Sequence, residues 1–345
     1  MPKYSEIAQV ENPPEQKDLP SWLAHPLKVP ASQPNMLLFP GEMTHYAGML
    51  AVCQRLPLVQ EMIELATEAF DFDVQRVFEE CTAEDEASRT DRSQMLAYVA
   101  DCAAYELFRE QQPEVASNLR AVAGFSVGEF AALVAAGVMS YDQGLLIVKA
   151  RGEAMQRWVE QLPMAALAVF GLEETMLAEL CAQTGTSHQQ VFLSHGWGRR
   201  CFVCSGEREA VEALQQLTAQ EAVYTQLIEN RVDAGHTPLA AEIAAEVEEA
   251  ISSIPMNPPR CEVYFGCGYR VPAGEDPSVF LPYLSQQLTM PLRWDVVVAS
   301  SLQRGIRRYF ECGPGQSLKE LMMFNSITAQ TQTIRPYELT TAMQV

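Results

Sequence analysis

Residues 121–136 read AVAGFSVGEFAALVAA, and this stretch decides the fold class. The apolar run at 121–124 is typical of a short buried strand, and the strong helix formers at 129–136 predict a helix directly after it. Between them lies a G-x-S-x-G pattern at 124–128, whose glycines allow a sharp turn. A strand, a sharp turn and a helix in this order indicate a parallel α/β sheet.

The serine of this turn, Ser126, is a candidate nucleophile. In a nucleophile elbow the serine hydroxyl projects above the sheet, and the N–H at the helix start, here that of Val127, faces any oxyanion formed there. The same pattern also occurs as a glycine-rich turn with an incidental serine. A serine of ordinary pKa needs a base. The candidate bases are the five histidines of the chain: His25, His45, His188, His195 and His236.

The order of predicted elements indicates a small unit inserted into a larger α/β body. Residues 159–234 read as strand, helix, strand, strand, helix and strand, which is the ferredoxin-like βαββαβ order. We therefore predict a hydrolase-like parallel-sheet core with a nucleophile elbow at 36–158 and 235–330. The proline-rich residues 1–35 are expected to form an extended arm, and 331–345 a C-terminal tail.

Hydrophobic periodicity predicts the individual elements. The predicted strands are 36–39, 121–124, 165–170, 190–194, 201–205, 224–228, 262–265 and 308–311. The predicted helices are 58–69, 94–111, 129–136, 173–183, 208–220, 238–251 and 291–303.

The charge of the chain argues against two classes of partner. The 24 Lys and Arg against 44 Asp and Glu give a formal net charge of −20, which disfavours nucleic acid and anionic membranes. No apolar run approaches the roughly 18 residues of a spanning helix. Residues 1–35 resemble neither a signal peptide nor a transit peptide, so we expect a soluble protein.

The cysteines do not predict a disulfide framework or a metal site. Nine scattered cysteines are typical of reduced thiols inside a cell. Cys201 and Cys204 lie three apart in a predicted strand, where they face opposite sides of the sheet. Cys261 and Cys267 flank another predicted strand, with no His or Cys pair at ligand spacing. No nucleotide-binding glycine motif is present, so we expect no metal and no cofactor.

Six further stretches, in order along the chain, extend the pattern far beyond the elbow. They are LLFPG at 37–41, Gln94, RGEAMQ at 151–156, GHT at 235–237, QQL with Pro291 and Trp294, and FECGPG at 310–315. Together with the elbow at 124–134, these stretches resemble the malonyl-CoA:acyl-carrier-protein transacylases, a family of acyltransferases. The phenylalanine before Ser126 looks like the mitochondrial members.

The resemblance implies a transfer of malonyl from CoA to the phosphopantetheine thiol of an acyl carrier protein, for fatty-acid synthesis, through an acyl-serine. It implies that Ser126 attacks the thioester and that His236 takes its proton. The backbone carbonyl near Gln287 would orient the imidazole in place of an aspartate.

The resemblance also assigns the remaining site residues. The oxyanion hole would consist of the backbone N–H groups of Val127 and Glu42. Arg151 would bind the free carboxylate of the acyl group with its planar fork and favour malonyl over acetyl. Gln94 matches a glutamine that the family carries on the helix before the elbow. Without the family pattern, Arg151 would read as a helix-surface arginine paired with an acid.

Several positions depart from the family pattern. Glu42-Met43 replaces Gln-Gly, which is expected to bring a carboxylate beside the oxyanion hole, so that Glu42→Gln should raise activity. Gly235 replaces a bulky residue, and asparagines of the family are replaced in the pairs His195-Gly196 and Phe265-Gly266.

These departures keep two alternatives open. The first is a catalytically impaired relative that serves as a binding or scaffold subunit, and the second is a hydrolase that uses the same serine. Because carrier proteins are typically acidic, docking on this acidic chain would need a local basic patch. The candidates are Arg199, Arg200, Arg304, Arg307 and Arg308.

Overall fold

The structure is a computed structural model that describes residues 34–42, 44, 46–51, 53–80, 89–161, 163–186, 189–228, 234–325 and 330–334. The arm predicted at 1–35, apart from its last two residues, lies outside this range. The predicted tail lies outside it from residue 335 onward. Met43, His25, His45 and His188 are also outside the described residues.

The described chain alternates strands and helices. The strands are β1 (Asn35–Phe39), β2 (Ala121–Gly124), β3 (Met164–Phe170), β4 (Val191–Gly198), β5 (Cys201–Glu207), β6 (Tyr224–Ile228), β7 (Glu262–Tyr264), β8 (Arg270–Val271), β9 (Leu292–Arg293), β10 (Arg308–Cys312) and β11 (Gln330–Ile334). The helices are α1 (Pro57–Phe70), α2 (Val74–Glu80), α3 (Thr90–Gln111), α4 (Pro113–Ser117), α5 (Gly128–Ala135), α6 (Tyr141–Val159), α7 (Glu174–Thr184), α8 (Arg208–Thr218), α9 (Ala241–Ser252), α10 (Phe280–Ser285), α11 (Trp294–Gln303) and α12 (Ser317–Asn325).

The larger sheet has the order β11-β10-β1-β2-β7-β8 and is parallel except at β8. Because side chains alternate along a strand, both faces of β1 are buried: Leu37 packs into one hydrophobic core and Leu38 into a second. The first core also contains residues of α3, α5 and α6, and the second contains residues of α11 and α12. The predicted parallel α/β core is therefore present.

The turn between β2 and α5 is tight enough to exclude side chains. A Cβ on Gly124 would lie 2.1 Å from the Glu129 nitrogen, and one on Gly128 would lie 2.4 Å from the Phe39 carbonyl oxygen. Ser126 between them adopts φ 54°, in the left-handed region that non-glycine residues rarely occupy. The glycines thus allow the close approach of β1 and α5 that holds Ser126 in this strained conformation.

The smaller sheet has the order β6-β3-β5-β4-β9. Its first four strands are antiparallel and come from the predicted ferredoxin-like unit, whereas β9 comes from the α/β body and pairs with β4 in parallel. The helix predicted at 291–303 is therefore wrong at its start, because Leu292–Arg293 is extended and α11 begins at Trp294. The Arg293 N–H donates to the Gly266 carbonyl at 2.6 Å, which satisfies its backbone outside a helix.

The periodicity left other elements unpredicted. They are α2, α4, α6, α10, α12, β8 and β11. The most consequential of these for function is α6, which carries Arg151 and packs against α3.

Candidate active site

Ser126 and His236 meet at the carboxyl end of β2. The Ser126 Oγ and the His236 Nε2 are 2.9 Å apart, although the two residues are separated by 110 positions in sequence. Ser126 follows β2 directly, and His236 precedes the 3-10 turn Pro238–Ala240 that leads into α9. This is the contact between nucleophile and base that a serine needs for activation.

The imidazole of His236 is oriented by a backbone carbonyl. Its Nδ1 lies 3.0 Å from the Gln287 carbonyl oxygen, which can only accept a hydrogen bond. The proton therefore sits on Nδ1, and Nε2 presents its lone pair to the Ser126 hydroxyl. Burial, followed by the nearby His195 and Arg151, lowers the pKa of His236 well below its usual 6.5, so the ring is neutral at physiological pH.

Arg151 is buried beside the serine, with 1% of its surface exposed, so the alternative of a helix-surface arginine is wrong. Its Nη2 donates to Ser126 Oγ at 3.0 Å, and its Nε donates to Gln287 Oε1 at 3.2 Å. Its Nη1 donates to Gln94 Oε1. The structure thus brings together Ser126, His236, Arg151, Gln94 and Gln287, all of which the family pattern singled out.

A carboxylate that the sequence did not single out, that of Glu129, is hydrogen-bonded to this group of residues. Glu129 accepts a hydrogen bond from Gln287 Nε2 at 2.8 Å and another from the Gly266 N–H at 2.6 Å. The Gln287 Nε2 also donates to the Ser126 carbonyl at 2.9 Å. Burial raises the pKa of Glu129 to about 7, and the two hydrogen bonds moderate that rise. The signal that the sequence offered for this role was the position of Glu129, a single charged residue in the otherwise apolar helix α5.

The Glu42 carboxylate is held by a hydroxyl. Its two oxygens lie 3.2 and 3.0 Å from Thr90 Oγ1, at the first residue of α3. The sequence expectation placed this charge at the oxyanion hole, and the structure gives it a donor on a neighbouring helix. Gln156, from the same motif as Arg151, accepts the Thr90 N–H at 2.9 Å and so caps that helix end.

The two proposed oxyanion-hole positions flank the serine. Val127 follows it at the start of α5 and is fully buried. The chain before Glu42 runs alongside the elbow, since a Cβ on Gly41 would lie 2.9 Å from the Phe125 carbonyl and 3.6 Å from the Ser126 Cβ. Glu42 is thereby brought next to the turn that carries the nucleophile.

The other departures from the family pattern lie around the same group. The His195 ring stacks on Phe125 with centroids 5.7 Å apart, and burial lowers its pKa to about 4. A Cβ at Gly266 would lie 2.3 Å from Leu292 Cδ2 and 2.7 Å from Glu129 Oε1, so a larger residue there would require these two side chains to move. The pair Phe265-Gly266, which departs from the family pattern, thus lies in close contact with β9 at the turn between β7 and β8.

Three of the arginines suggested as a docking patch, Arg304, Arg307 and Arg308, lie at the opposite end of the larger sheet from Ser126. Arg308 begins β10, and Arg304 pairs with Glu262 at the first residue of β7, at 2.8 Å. In a parallel sheet the amino ends of all strands lie at one end of the sheet, and Ser126, after the carboxyl end of β2, lies at the other. Arg307 donates to the Leu302 carbonyl at 2.6 Å. On the smaller sheet, Arg200 is paired with Glu173.

Among the described residues, no helix is long and apolar enough to cross a bilayer. Within the same ranges, no cluster of three or more His, Cys, Asp or Glu is arranged to hold a metal ion. Cys201 and Cys204 belong to different hydrophobic cores, and the Cys204 Sγ lies 3.6 Å from that of Cys181.

Comparison with known proteins shows which families and solved structures this chain is similar to. The acyl transferase domain family matches residues 37–305. The mitochondrial malonyl-CoA-acyl carrier protein transacylase of Mus musculus is 31% identical over 85% of this chain and 79% of its own length. The Homo sapiens counterpart is 30% identical over 87% and 79%. The crystal structure of the malonyl-CoA:acyl carrier protein transacylase of Xanthomonas oryzae pv. oryzae superposes with a TM-score of 0.79 at 26% identity, covering 88% of this chain and 95% of that one.

These matches confirm the resemblance drawn from the motifs, and the chain belongs to the malonyl-CoA-acyl carrier protein transacylase family of acyl transferases.

Proposed function

We propose that the protein transfers a malonyl group from coenzyme A to the phosphopantetheine thiol of an acyl carrier protein, through an acyl ester of Ser126. The observation that carries the proposal is the position of the Ser126 Oγ, which lies 2.9 Å from His236 Nε2 and 3.0 Å from Arg151 Nη2. The first contact supplies a base for attack on a thioester. The second supplies a buried cation for an acyl group that ends in a carboxylate.

In the first half-reaction, Ser126 Oγ attacks the thioester carbonyl while His236 Nε2 accepts the hydroxyl proton. The backbone N–H groups of Val127 and Glu42 stabilise the oxyanion of the tetrahedral intermediate. Collapse of the intermediate breaks the carbon–sulfur bond, and the imidazolium returns its proton to the leaving CoA sulfur. The product is the malonyl ester of Ser126 and free CoA.

In the second half-reaction, the carrier-protein thiol attacks the ester carbonyl and gives its proton to His236. Collapse now breaks the ester carbon–oxygen bond, and the proton returns to Ser126 Oγ. The Gln287 carbonyl stabilises the imidazolium in both halves, since it accepts the Nδ1–H throughout.

Arg151 provides the selectivity for malonyl. A planar guanidinium can bind a carboxylate through two parallel hydrogen bonds, and in a buried site such bonds are strong. An acetyl group offers no carboxylate, so it leaves this buried cation without the compensation that malonyl provides.

Intact-protein mass spectrometry after brief incubation with malonyl-CoA tests this function. The wild-type protein should gain the mass of one malonyl group, and the adduct should disappear when a carrier protein bearing phosphopantetheine is added. Ser126→Ala should gain none. An unmodified wild-type protein would contradict the proposal, and an adduct lost to water as quickly as to carrier protein would indicate a hydrolase.

The compartment is proposed from the relatives alone. The mouse and human proteins are both named mitochondrial, which supports the mitochondrial matrix for this chain. No observation favours the alternative of a scaffold subunit.

A further inference from the structure

Two buried cysteines of the inserted ferredoxin-like unit lie in contact, and the proposed mechanism does not use them. Cys181 lies on α7 and Cys204 on β5, and their Sγ atoms are 3.6 Å apart. Both are part of the hydrophobic core that α7 and α8 form with the smaller sheet. The two residues are 23 positions apart, so no local motif indicated the pair.

The separation of the two sulfur atoms is short enough for a disulfide bond to form with a small movement. A disulfide has an S–S length of about 2.05 Å, so the sulfurs must approach each other by roughly 1.5 Å. Rotation about χ1 moves each sulfur, and a shift of α7 can supply the remainder. The backbone hydrogen bonds of a helix lie within it, so α7 can shift against the sheet without breaking the pairing of any strand.

A cavity of about 330 Å³ brings Cys181 within reach of a small oxidant. The cavity lies between the C-terminal half of α7 and the start of β4, and it is large enough for a molecule of the size of water or hydrogen peroxide. Cys181 is 6% exposed and Cys204 is fully buried, so peroxide meets Cys181 first. The walls beside Cys181 are mainly apolar and include Ala178, Ala182, Val191 and Leu193.

Cys204 is suited to be the thiol that completes the disulfide. Its contact with Cys181 and its burial raise the pKa of Cys204 well above its usual 9, so Cys204 keeps its proton while Cys181 reacts. A sulfenic acid condenses with a neighbouring thiol to give a disulfide. Because Cys181 is itself nearly buried, a bulky soluble thiol has less access to its sulfur than Cys204 has.

We propose that Cys181 and Cys204 are a redox modification site, at which hydrogen peroxide forms a reversible disulfide. The Cys181 thiolate attacks one peroxide oxygen, the O–O bond breaks, and the hydroxide released takes up the proton that Cys181 lost and leaves as water. The Cys204 sulfur then attacks the sulfenic sulfur: the S–S bond forms, the S–O bond breaks, and the hydroxyl leaves as a second water with the Cys204 proton. The two sulfurs together give two electrons to the peroxide.

The residues on either side of Cys204 connect this pair to the active site. The Val203 carbonyl and the Ser205 hydroxyl lie 3.1 and 2.8 Å from the Ser194 hydroxyl. That hydroxyl lies 2.8 Å from Nδ1 of His195, whose ring stands against the proposed base. A disulfide that draws Cys204 toward α7 displaces both partners of Ser194 and so disturbs His195. We therefore expect the disulfide to lower the rate of acyl transfer, a consequence that rests on the proposed function.

Peptide mapping by mass spectrometry tests the site on the full-length native protein. The protein is incubated with hydrogen peroxide, its remaining thiols are blocked under denaturing conditions, and it is digested without reductant. The wild type should give a cross-linked peptide that joins Cys181 to Cys204, with a mass lower by two hydrogens than that of the two reduced peptides. Dithiothreitol should abolish this peptide.

Three variants provide the controls. Cys181→Ala and Cys204→Ala should form no such cross-link, whereas Cys261→Ala, which removes another buried thiol outside the pair, should form it as the wild type does. The activity of the wild type with malonyl-CoA should fall after peroxide treatment and return with dithiothreitol, and Cys204→Ala should show no such reversible loss. If the reduced wild type forms no malonyl ester, the proposed function fails, but the cross-link still decides the disulfide site.

A wild-type protein in which Cys181 and Cys204 remain free thiols, or carry only sulfinic or sulfonic acid, would overturn the site. Cross-links of equal yield between other pairs of cysteines would overturn it as well, because they would show that peroxide acts on unfolded chains. A Cys181–Cys204 disulfide with undiminished activity would overturn the connection to His195.

Discussion

The imidazole rings of His195 and His236 stand edge to face, with their centroids 5.5 Å apart. His195 also contacts the hydroxyl of Ser194, at 2.8 Å from its Nδ1. The proposed base therefore has a second imidazole against it, from the pair His195-Gly196, which departs from the family pattern. Two imidazoles at this distance disfavour a positive charge on each other.

This contact predicts the pH dependence of acylation. Burial is the main cause of the low pKa of His236, and His195 is the next. Because the base must be neutral, the rate should stay constant from pH 8 to well below 6.5 and fall only when His236 gains a proton. In His195→Asn that fall should move to higher pH, while remaining below 6.5.

The measurement is kcat/KM for malonyl-CoA from pH 8 downward until the rate falls, in short assays. His236→Ala, which has no base, should be inactive at every pH and serves as the control. A profile for His195→Asn that matches the wild type would show that the second imidazole has no influence on the base.

Replacement of Arg151 by lysine should change donor selectivity. Lysine keeps the charge but loses the planar pair of N–H groups that matches a carboxylate. We expect kcat/KM for malonyl-CoA to fall about 10- to 100-fold, as for the loss of a hydrogen bond to a charged group. The value for acetyl-CoA should stay the same or rise. Equal losses for both donors would mean that Arg151 serves the serine rather than the acyl carboxylate.

Substitution by alanine should destabilise the fold far more at an elbow glycine than at a glycine in an open turn. Gly128→Ala should destabilise the fold strongly, because the new Cβ would lie 2.3 Å from the Pro40 carbonyl oxygen. At Gly274, φ is +76° and nothing lies within 4 Å, so alanine there should cost only about 1–2 kcal/mol of backbone strain. Urea denaturation of both variants checks the order, and similar midpoints would contradict the packing argument.

Glu311 should make stability depend on pH. Its carboxylate accepts the backbone N–H groups of Leu318 and Lys319, each at 2.9 Å, and burial raises its pKa from 4.5 to about 7. Between these values the folded state holds a proton that the unfolded state has lost. Stability should therefore fall as pH rises through this window, by up to about 3 kcal/mol at 1.36 kcal/mol per pKa unit.

Denaturation of the wild type and Glu311→Gln at pH 5.5 and pH 8 isolates this contribution. The variant cannot titrate at 311, so its loss of stability relative to the wild type should be larger at pH 5.5 than at pH 8. A constant difference between the two proteins would show that Glu311 has no raised pKa in the folded state.

Charge reversal at Arg307 and Arg308 should leave carrier-protein recognition intact. Both residues lie at the amino end of β10, whereas Ser126 lies at the other end of the sheet, after the carboxyl end of β2. We expect the KM for carrier protein to stay unchanged, because a charge outside the interface does not contribute to the complementarity that steers the two proteins together. The KM for malonyl-CoA is the internal control. A selective rise in the carrier-protein KM would place the docking face at this edge.

Local patterns predicted the elements on which the site is built. The apolar run at 121–124, the two glycines and the alanine-rich helix formers specify a strand, a turn and a helix within sixteen residues, because propensity and glycine sterics act between near neighbours. The same reasoning failed at Leu292–Arg293, whose apolar and helix-forming residues read as the start of α11. Pairing with β4, which no local pattern reveals, keeps that segment extended.

The sequence by itself determined the class of fold and, through its ordered motifs, the family and the candidates for nucleophile, base and acyl-binding arginine. Only the tertiary structure decided how these groups meet: Ser126 with His236 across 110 residues, and Gln287 with Ser126 across 161. It also decided that the Glu42 carboxylate faces Thr90, 48 positions away. The physical reason is that a buried polar group takes whichever partner packing brings within about 3 Å, and packing depends on the whole chain.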